Sequence, residues 1–158
     1  MQLWVVRHAI AAPAQPGQGD AERPLTAEGR AAFLPIAKSL ASRPIRPNAV
    51  LASPFVRARQ TAELLGATLG CPTSPCELLA EPPSAELLAL LGAQDVALVG
   101  HEPWVSQLVA WLVFGRKELG ERLPFERGAV AGLDGRPVPG GMTLRWFLAP
   151  DDLRPSGS

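Results

Sequence analysis

Cysteine is scarce in this 158-residue chain: Cys71 and Cys76 are the only two, separated by Pro-Thr-Ser-Pro. Two thiols at that spacing make neither a disulfide framework nor a complete zinc site, so a reducing compartment is the default. Neither sign of charge is in excess. Fifteen Lys and Arg balance fifteen Asp and Glu, with no basic tail and no acidic block, which disfavours general attraction to nucleic acid. No stretch approaches the roughly 20 continuous apolar residues of a membrane span. The opening Met-Gln-Leu-Trp-Val-Val-Arg-His is only briefly apolar, lacks a basic start and soon meets charge and proline, unlike an export signal. The expected setting is cytoplasmic, with no membrane partner. No repeat, coiled coil or internal linker is evident.

What the chain does have is the composition of an ordinary globular protein, 47% hydrophobic and 19% charged. Its length suits one domain that buries roughly 70% of the surface of the extended chain. The expected division is a domain over residues 1–150 and a tail over 151–158, with no function given to Ser156-Gly157-Ser158. Thirteen of the fifteen basic residues are Arg, whose planar fork suits oxyanion binding, although biased composition explains the count equally well until positions are considered.

Leu3 to Val6 is a short apolar run of strand formers that leads into Arg7-His8 and a Pro/Gly-rich loop through Asp20. Ala27 to Leu40 has helical periodicity with Thr26 as cap, and Pro35 is expected to kink or divide it. Asn48 to Ala52 supplies another strand. Ser53-Pro54 then reads as a cap with proline at the first helical position, and a helix to about Leu69 puts Arg57 and Thr61 on one face. Glu77 to Ala80 reads as a third strand, and Ser84 caps a short helix to Leu91. Asp95 to Val99 is the next strand, followed by Gly100-His101 and a helix from Pro103 to Phe114. Gly115 to Pro124 reads as a connection. Arg127 to Leu133 and Met142 to Leu148 close the chain as an edge hairpin. Alternating strands and helices predict a three-layer α/β/α sandwich with a mostly parallel central sheet and an antiparallel edge.

Three polar clusters follow strands: Arg7-His8, Ser53 with Arg57, and Gly100-His101. The carboxyl ends of parallel strands converge on one crevice although their residues are far apart in sequence. Two arginines there can neutralise the oxygens of a phosphoryl group, while one imidazole attacks phosphorus and the other stabilises developing charge. Such a site needs no bound metal and no cofactor, because fixed cations do the electrostatic work that Mg²⁺ does elsewhere.

The ordered set Arg7-His8-Ala9, Arg23-Pro24-Leu25-Thr26 with Gly29, Ser53-Pro54-Phe55-Val56-Arg57-Ala58-Arg59-Gln60-Thr61 and Val99-Gly100-His101-Glu102-Pro103 resembles the histidine phosphatase (phosphoglycerate mutase-like) superfamily. The best local match is its small bacterial branch, the protein-histidine phosphatases of the SixA type. One Arg-His pair would be weak; four segments in family order are specific. The resemblance implies that His8 is the nucleophile and that Arg7, Arg57 and His101 complete the phosphate pocket. It also implies that residues 1–150 are the catalytic domain. Neutral His8 must direct a lone pair at phosphorus, so its other ring nitrogen should be held by a backbone contact. Nearby guanidinium groups favour that neutral form.

Two positions depart from the family pattern. Ala9 replaces the usual glycine after the nucleophile, so either the position needs no positive φ or activity has been sacrificed. No acidic residue stands out as general acid. Among Glu77, Glu81 and Glu86, Glu81 is preferred because it lies in the loop beyond the expected strand.

The structural alternatives are specific. Ser53 reads as helix cap and also as a phosphate donor, Arg59 as a solvent-facing ion-pair residue, Arg23 and Thr26 as local fixtures near the pocket, and Glu102 as a cap for the helix after His101. Trp104 and Trp111, seven apart, read as core packing. For function, the leading expectation is a phosphohistidine phosphatase whose partner is a phosphohistidine-bearing signalling or phosphotransfer protein. The alternatives are a phosphomonoesterase for a small phosphorylated metabolite and a non-catalytic phosphate-sensing or phosphoprotein-binding module.

Overall fold

The structure is a computed structural model, and it describes residues 1–155. Ser156-Gly157-Ser158 lie outside the described residues. Among the described residues six strands form one sheet: β1 (Gln2–Arg7), β2 (Ala49–Ala52), β3 (Thr73–Pro75), β4 (Val96–Gly100), β5 (Val130–Gly135) and β6 (Met142–Leu148). Their order across the sheet is β3-β2-β4-β1-β5-β6. The first four pair in parallel, and β5 and β6 add antiparallel to β1 and to each other.

Side chains alternate across the pleat, and that alternation makes two cores. Leu3, Val5, Val96 and Leu98 pack with α3 (Ala85–Leu91) and α4 (Trp104–Phe114) on one face. Trp4, Val6, Ala97 and Val99 pack with α1 (Ala27–Ala41) and α2 (Val56–Leu69) on the other. Both faces of the parallel strands are covered, which is why β4 is buried at every residue. The result is the expected three-layer sandwich with an antiparallel edge hairpin.

Several elements depart from the sequence expectation. Glu77–Ala80 is a 3-10 turn and the third strand is Thr73–Pro75. The sheet runs out of pairing there: Cys76 donates to Ala52 O at 2.7 Å, and Leu79 N then closes the turn on Cys76 O, sending Leu79 into the core. Pro75 is tolerated in β3 because this is an edge strand that lies exposed. Pro35 does not divide α1, which runs unbroken to Ala41. Pro35 and Ala31 both lie on the exposed side, so water can take the carbonyl that proline leaves without a donor. Thr26 caps the helix as expected, accepting from Gly29 N at 2.8 Å. Ser84 does the same for α3 through Leu87 N at 3.1 Å.

Ser53 is not the N-cap of α2. That helix starts at Val56 after Phe55, because Ser53 N is still engaged by the sheet, donating to Val99 O at 3.0 Å. The connection after α4 holds a 3-10 turn, Lys117–Arg122, and Pro150–Leu153 forms another that packs on α1. β5 begins three residues later than Arg127, because Gly128 adopts φ +81 and turns its N–H onto the carbonyls of Arg7 and His8.

Candidate active site

β2, β4 and β1 are neighbours in the sheet and point the same way, so their carboxyl ends lie side by side. Ladder bonds continue one residue past the strands. His8 N donates to Gly100 O at 3.1 Å, Arg7 N to Ala129 O at 3.0 Å, and Ser53 N to Val99 O at 3.0 Å. His8 and Ser53 are thereby fixed through the backbone before any side-chain contact is made, and His101 is held at the start of α4, its main-chain oxygen accepting from Val105 N at 2.9 Å. All three are buried, as is Arg57, the second residue of α2.

The side chains meet as the convergence of strand ends requires. The His8 and His101 rings lie 5.4 Å apart between centroids. Nδ1 of His8 lies 2.7 Å from Ala9 O, a contact that only an Nδ1–H can make as a hydrogen bond. The lone pair is then on Nε2, where Arg57 Nε donates to it at 3.3 Å. Burial holds His8 down to about 3, against the weaker upward pull of the Ala9 carbonyl, and the charges of Arg57 and Arg7 with the His101 ring push the same way as burial. His8 is therefore neutral at neutral pH, with a defined tautomer and its lone pair on Nε2.

His101 is also held neutral, at about 4, first by burial and then by Arg57. Its Nε2 is 2.6 Å from Ser53 Oγ. Its Nδ1 is buried without a hydrogen-bond partner among the described residues, as is Nε of Arg7. Two orphaned polar atoms at one site are costly unless a polar ligand meets them. Arg7 is steadied by Phe125 O, to which its Nη1 donates at 2.8 Å, and burial lowers its pKa.

Thr61 joins the clusters. Its hydroxyl donates to Arg57 O at 2.8 Å and accepts from Ala9 N at 3.1 Å, so one buried side chain ties the arginine's helix to the segment that holds His8. Ala9 needs no left-handed backbone, because no non-glycine described residue has positive φ, and its methyl is buried in the α1/α2 core. Gly29 is required for space: a Cβ there would overlap the carbonyl of Ile10.

Ser53 Oγ bonds His101 and accepts from Phe55 N at 3.3 Å, which places it at the site without capping a helix. Glu81 is exposed and lines, with Gly100, His101 and Trp104, a small cavity beside the site; no hydrogen bond joins it to the other candidates. Arg59 pairs with Glu63 at 3.5 Å on the exposed side of α2. Glu102 turns onto α4, accepting from Ser106 N at 3.1 Å and from its hydroxyl at 2.6 Å. Trp111, half-buried, packs against the α3/α4 core as expected and carries the Lys117 ammonium 4.0 Å over its ring, whereas half-buried Trp104 departs from the core-packing expectation and stands edge-on to His101 with centroids 6.3 Å apart.

Sequence reasoning missed two participants. Phe55 lies 4.6 Å from the His101 ring between centroids, forming a second aromatic wall. Asp20 accepts from Arg57 Nη2 at 3.0 Å through Oδ2 and from Nη1 at 2.7 Å through its main-chain oxygen. Arg23 Nη1 holds the other carboxylate oxygen at 2.9 Å while its Nε donates to Ala12 O at 2.8 Å. The i,i+3 spacing of Asp20 and Arg23 was the only sequence signal for this network. Among the described residues, no three His, Cys, Asp or Glu side chains group so as to hold a metal ion, and no helix is long and apolar enough to cross a membrane.

Known proteins share this arrangement of strands and motifs. The pattern of the histidine phosphatase superfamily, branch 1, matches residues 3–83. Phosphohistidine phosphatase SixA of Escherichia coli strain K12 is 34% identical over 165 residues, spanning 98% of this chain and 97% of its own. A structure of the protein histidine phosphatase SixA complexed with tungstate superposes with a TM-score of 0.81 at 32% identity, covering 98% of this chain and 100% of that one. A phosphoserine phosphatase of Entamoeba histolytica in complex with 3-phosphoglyceric acid shares the fold alone, at 14% identity and a TM-score of 0.71 over 94% of this chain and 96% of its own.

Proposed function

Because the chain belongs to the histidine phosphatase superfamily, in its SixA-type branch, and so to an enzyme class that hydrolyses phosphoryl groups, we propose that it dephosphorylates phosphohistidine on a signalling or phosphotransfer protein without a metal. The observation that carries the reading is the His8 ring. Its Nδ1 proton rests on Ala9 O, it stays neutral, and its Nε2 lone pair lies at the Arg57 fork where phosphate oxygens are best neutralised.

In the first step Nε2 of His8 bonds to phosphorus as the phosphorus–nitrogen bond of the substrate breaks, and the departing imidazole nitrogen takes a proton. Arg7 and Arg57 neutralise the equatorial oxygens, and His101, steadied by Ser53, meets developing charge. In the second step water attacks phospho-His8, releasing inorganic phosphate and restoring the ring. Imidazole is a better leaving group than an alkoxide, which is hard to expel without protonation, so the reaction on phosphohistidine makes a small demand on a general acid. Glu81, near His101 but exposed, suits that limited role. It is also the observation that favours a second reading, a phosphomonoesterase for a small metabolite, in which Glu81 would protonate the alkoxide.

A competition assay decides between the two. Phosphohistidine proteins and a panel of phosphorylated metabolites are offered together and kcat/KM is measured for each. The expected result is a higher value for a phosphohistidine protein, with label trapped on His8 under acid-avoiding quench. One metabolite far above every phosphohistidine substrate would overturn the substrate reading, and label on another residue would overturn the mechanism.

A further inference from the structure

Arg57 is the most committed cation of the site, with a side chain only 9% exposed, yet its terminal donors are spent on an exposed residue. Asp20, 62% exposed, takes Nη2 with its carboxylate and Nη1 with its main-chain oxygen. Arg57 Nε meanwhile points at His8 Nε2. The edge of the guanidinium carrying Nε–H and one Nη2–H is one of the two that grip an oxyanion with two parallel bonds. Here that edge is divided between the nitrogen that attacks and the carboxylate of Asp20.

The carboxylate is built into place. Arg23 grips its second oxygen, and Arg23 is itself anchored on Ala12 O. Asp20 opens the 3-10 turn Asp20–Glu22, whose other end is closed by Glu22 accepting from Gly19 N at 3.1 Å. Both arginines hold the Asp20 carboxyl below the usual carboxylate range, Arg23 foremost. It is therefore an anion at neutral pH and no proton donor.

Resting on the phosphatase reading of this site, we propose that Asp20 is a specificity-determining latch that occupies the Arg57 fork and yields it only to a group offering more acceptor oxygens than a carboxylate. A phosphoryl group offers three. Two replace Asp20 at Arg57, and the excess is what Arg7 Nε and His101 Nδ1, both buried and without partners, can meet. A simple carboxylate brings nothing that Asp20 does not already supply at higher effective concentration. The latch thus costs phosphate some affinity and costs carboxylates nearly all of theirs.

The test uses inorganic phosphate binding, measured by calorimetry in about 0.5 M salt, where charges more than a few ångströms apart are screened. Asp20→Asn keeps the shape and removes the charge, and should tighten phosphate by roughly three- to tenfold. Glu63→Gln removes one exposed charge from the helix that carries Arg57 and should change it less than about twofold. Acetate should compete with phosphate in Asp20→Asn and not in the wild type. In the wild type, saturating phosphate should speed amide hydrogen exchange over residues 19–22 as the carboxylate is displaced. Phosphate affinity unchanged or weakened in Asp20→Asn overturns the latch, as does tightening matched by Glu63→Gln. Acetate competing equally in wild type and Asp20→Asn overturns the selectivity. Arg57→Ala separates the readings: if it abolishes phosphate binding while Asp20→Asn equals wild type, only the latch falls, and if it leaves phosphate binding intact, the assigned site falls with it.

Discussion

Where β2, β4 and β1 end, buried polar side chains crowd together; at the tip of the β5–β6 hairpin, by the opposite end of β1, Val138 lies 45% exposed beside Pro137 and Pro139. The contrast follows from direction. Parallel strands deliver all their carboxyl ends to one edge, so three short motifs far apart in sequence become neighbours. An antiparallel hairpin alternates its ends and concentrates nothing. What the antiparallel half gives the site comes from main-chain atoms at its approach: Phe125 O on Arg7 Nη1, Ala129 O on Arg7 N, and Gly128 N on the Arg7 and His8 carbonyls. One half supplies chemistry and the other supplies a frame.

The largest effect that can sharpen this contrast is His8→Asn. Removing the attacking nitrogen should lower kcat by roughly a thousandfold or more, with circular dichroism unchanged. Turnover near the wild-type value would mean that the converging edge is not the chemical edge. Arg57→Lys keeps charge but loses the fork, and a fall of roughly tenfold to a hundredfold in kcat/KM is expected. Wild-type kinetics there would move Arg57 out of contact with phosphate.

Acid should unsettle the parallel edge through its two buried rings. Both histidines have folded pKa values below their ordinary 6.5, about 3 for His8 and about 4 for His101, so the unfolded chain binds more protons between those values. Stability is therefore present above pH 6.5 and is lost as pH falls toward 4. Each ring should contribute a loss of about 2 kcal/mol between pH 7 and pH 5. Urea unfolding at the two pH values, repeated on His8→Asn, checks the sign and the size. Stability that rises on acidification would contradict buried neutral rings.

Ser53→Ala removes the contact to His101 Nε2, and a loss of roughly tenfold in kcat with little change in KM is expected. The smallest effect should come from the other half: Val138→Ser should change kcat/KM by less than about twofold. A large loss there would break the contrast, since the hairpin tip would then bear on substrate.

Much of this was legible in the sequence because apolar period and strand-end polarity are local signals. Leu3–Val6 and Asp95–Val99 read as buried strands, with Arg7-His8 and His101 as the polar residues at their carboxyl ends and Arg57 near the start of the helix after β2. The third strand was misplaced because Glu77–Ala80 is apolar enough to imitate one, whereas Thr73–Pro75 carries proline and lies exposed at the edge. Ser53-Pro54 carries a helix-start signature, but pairing with Val99 O keeps Ser53 in the sheet. Asp20 leaves only its i,i+3 spacing to Arg23 as a trace, and nothing local in the sequence ties it to Arg57. It reaches Arg57 across 37 positions from a loop whose composition announces only a turn, so its role depends on tertiary closure alone.

The proton on His8 is held by a main-chain oxygen, and every amino acid at position 9 brings that oxygen with it. The imidazole's tautomer is thus inherited from chain geometry, and no side chain at position 9 has to be selected to maintain it. A saturation library at position 9 would read out cavity size, through the methyl packed in the core, and would be silent about the proton. Drift can rewrite that codon, within the room available, without ever shifting the proton.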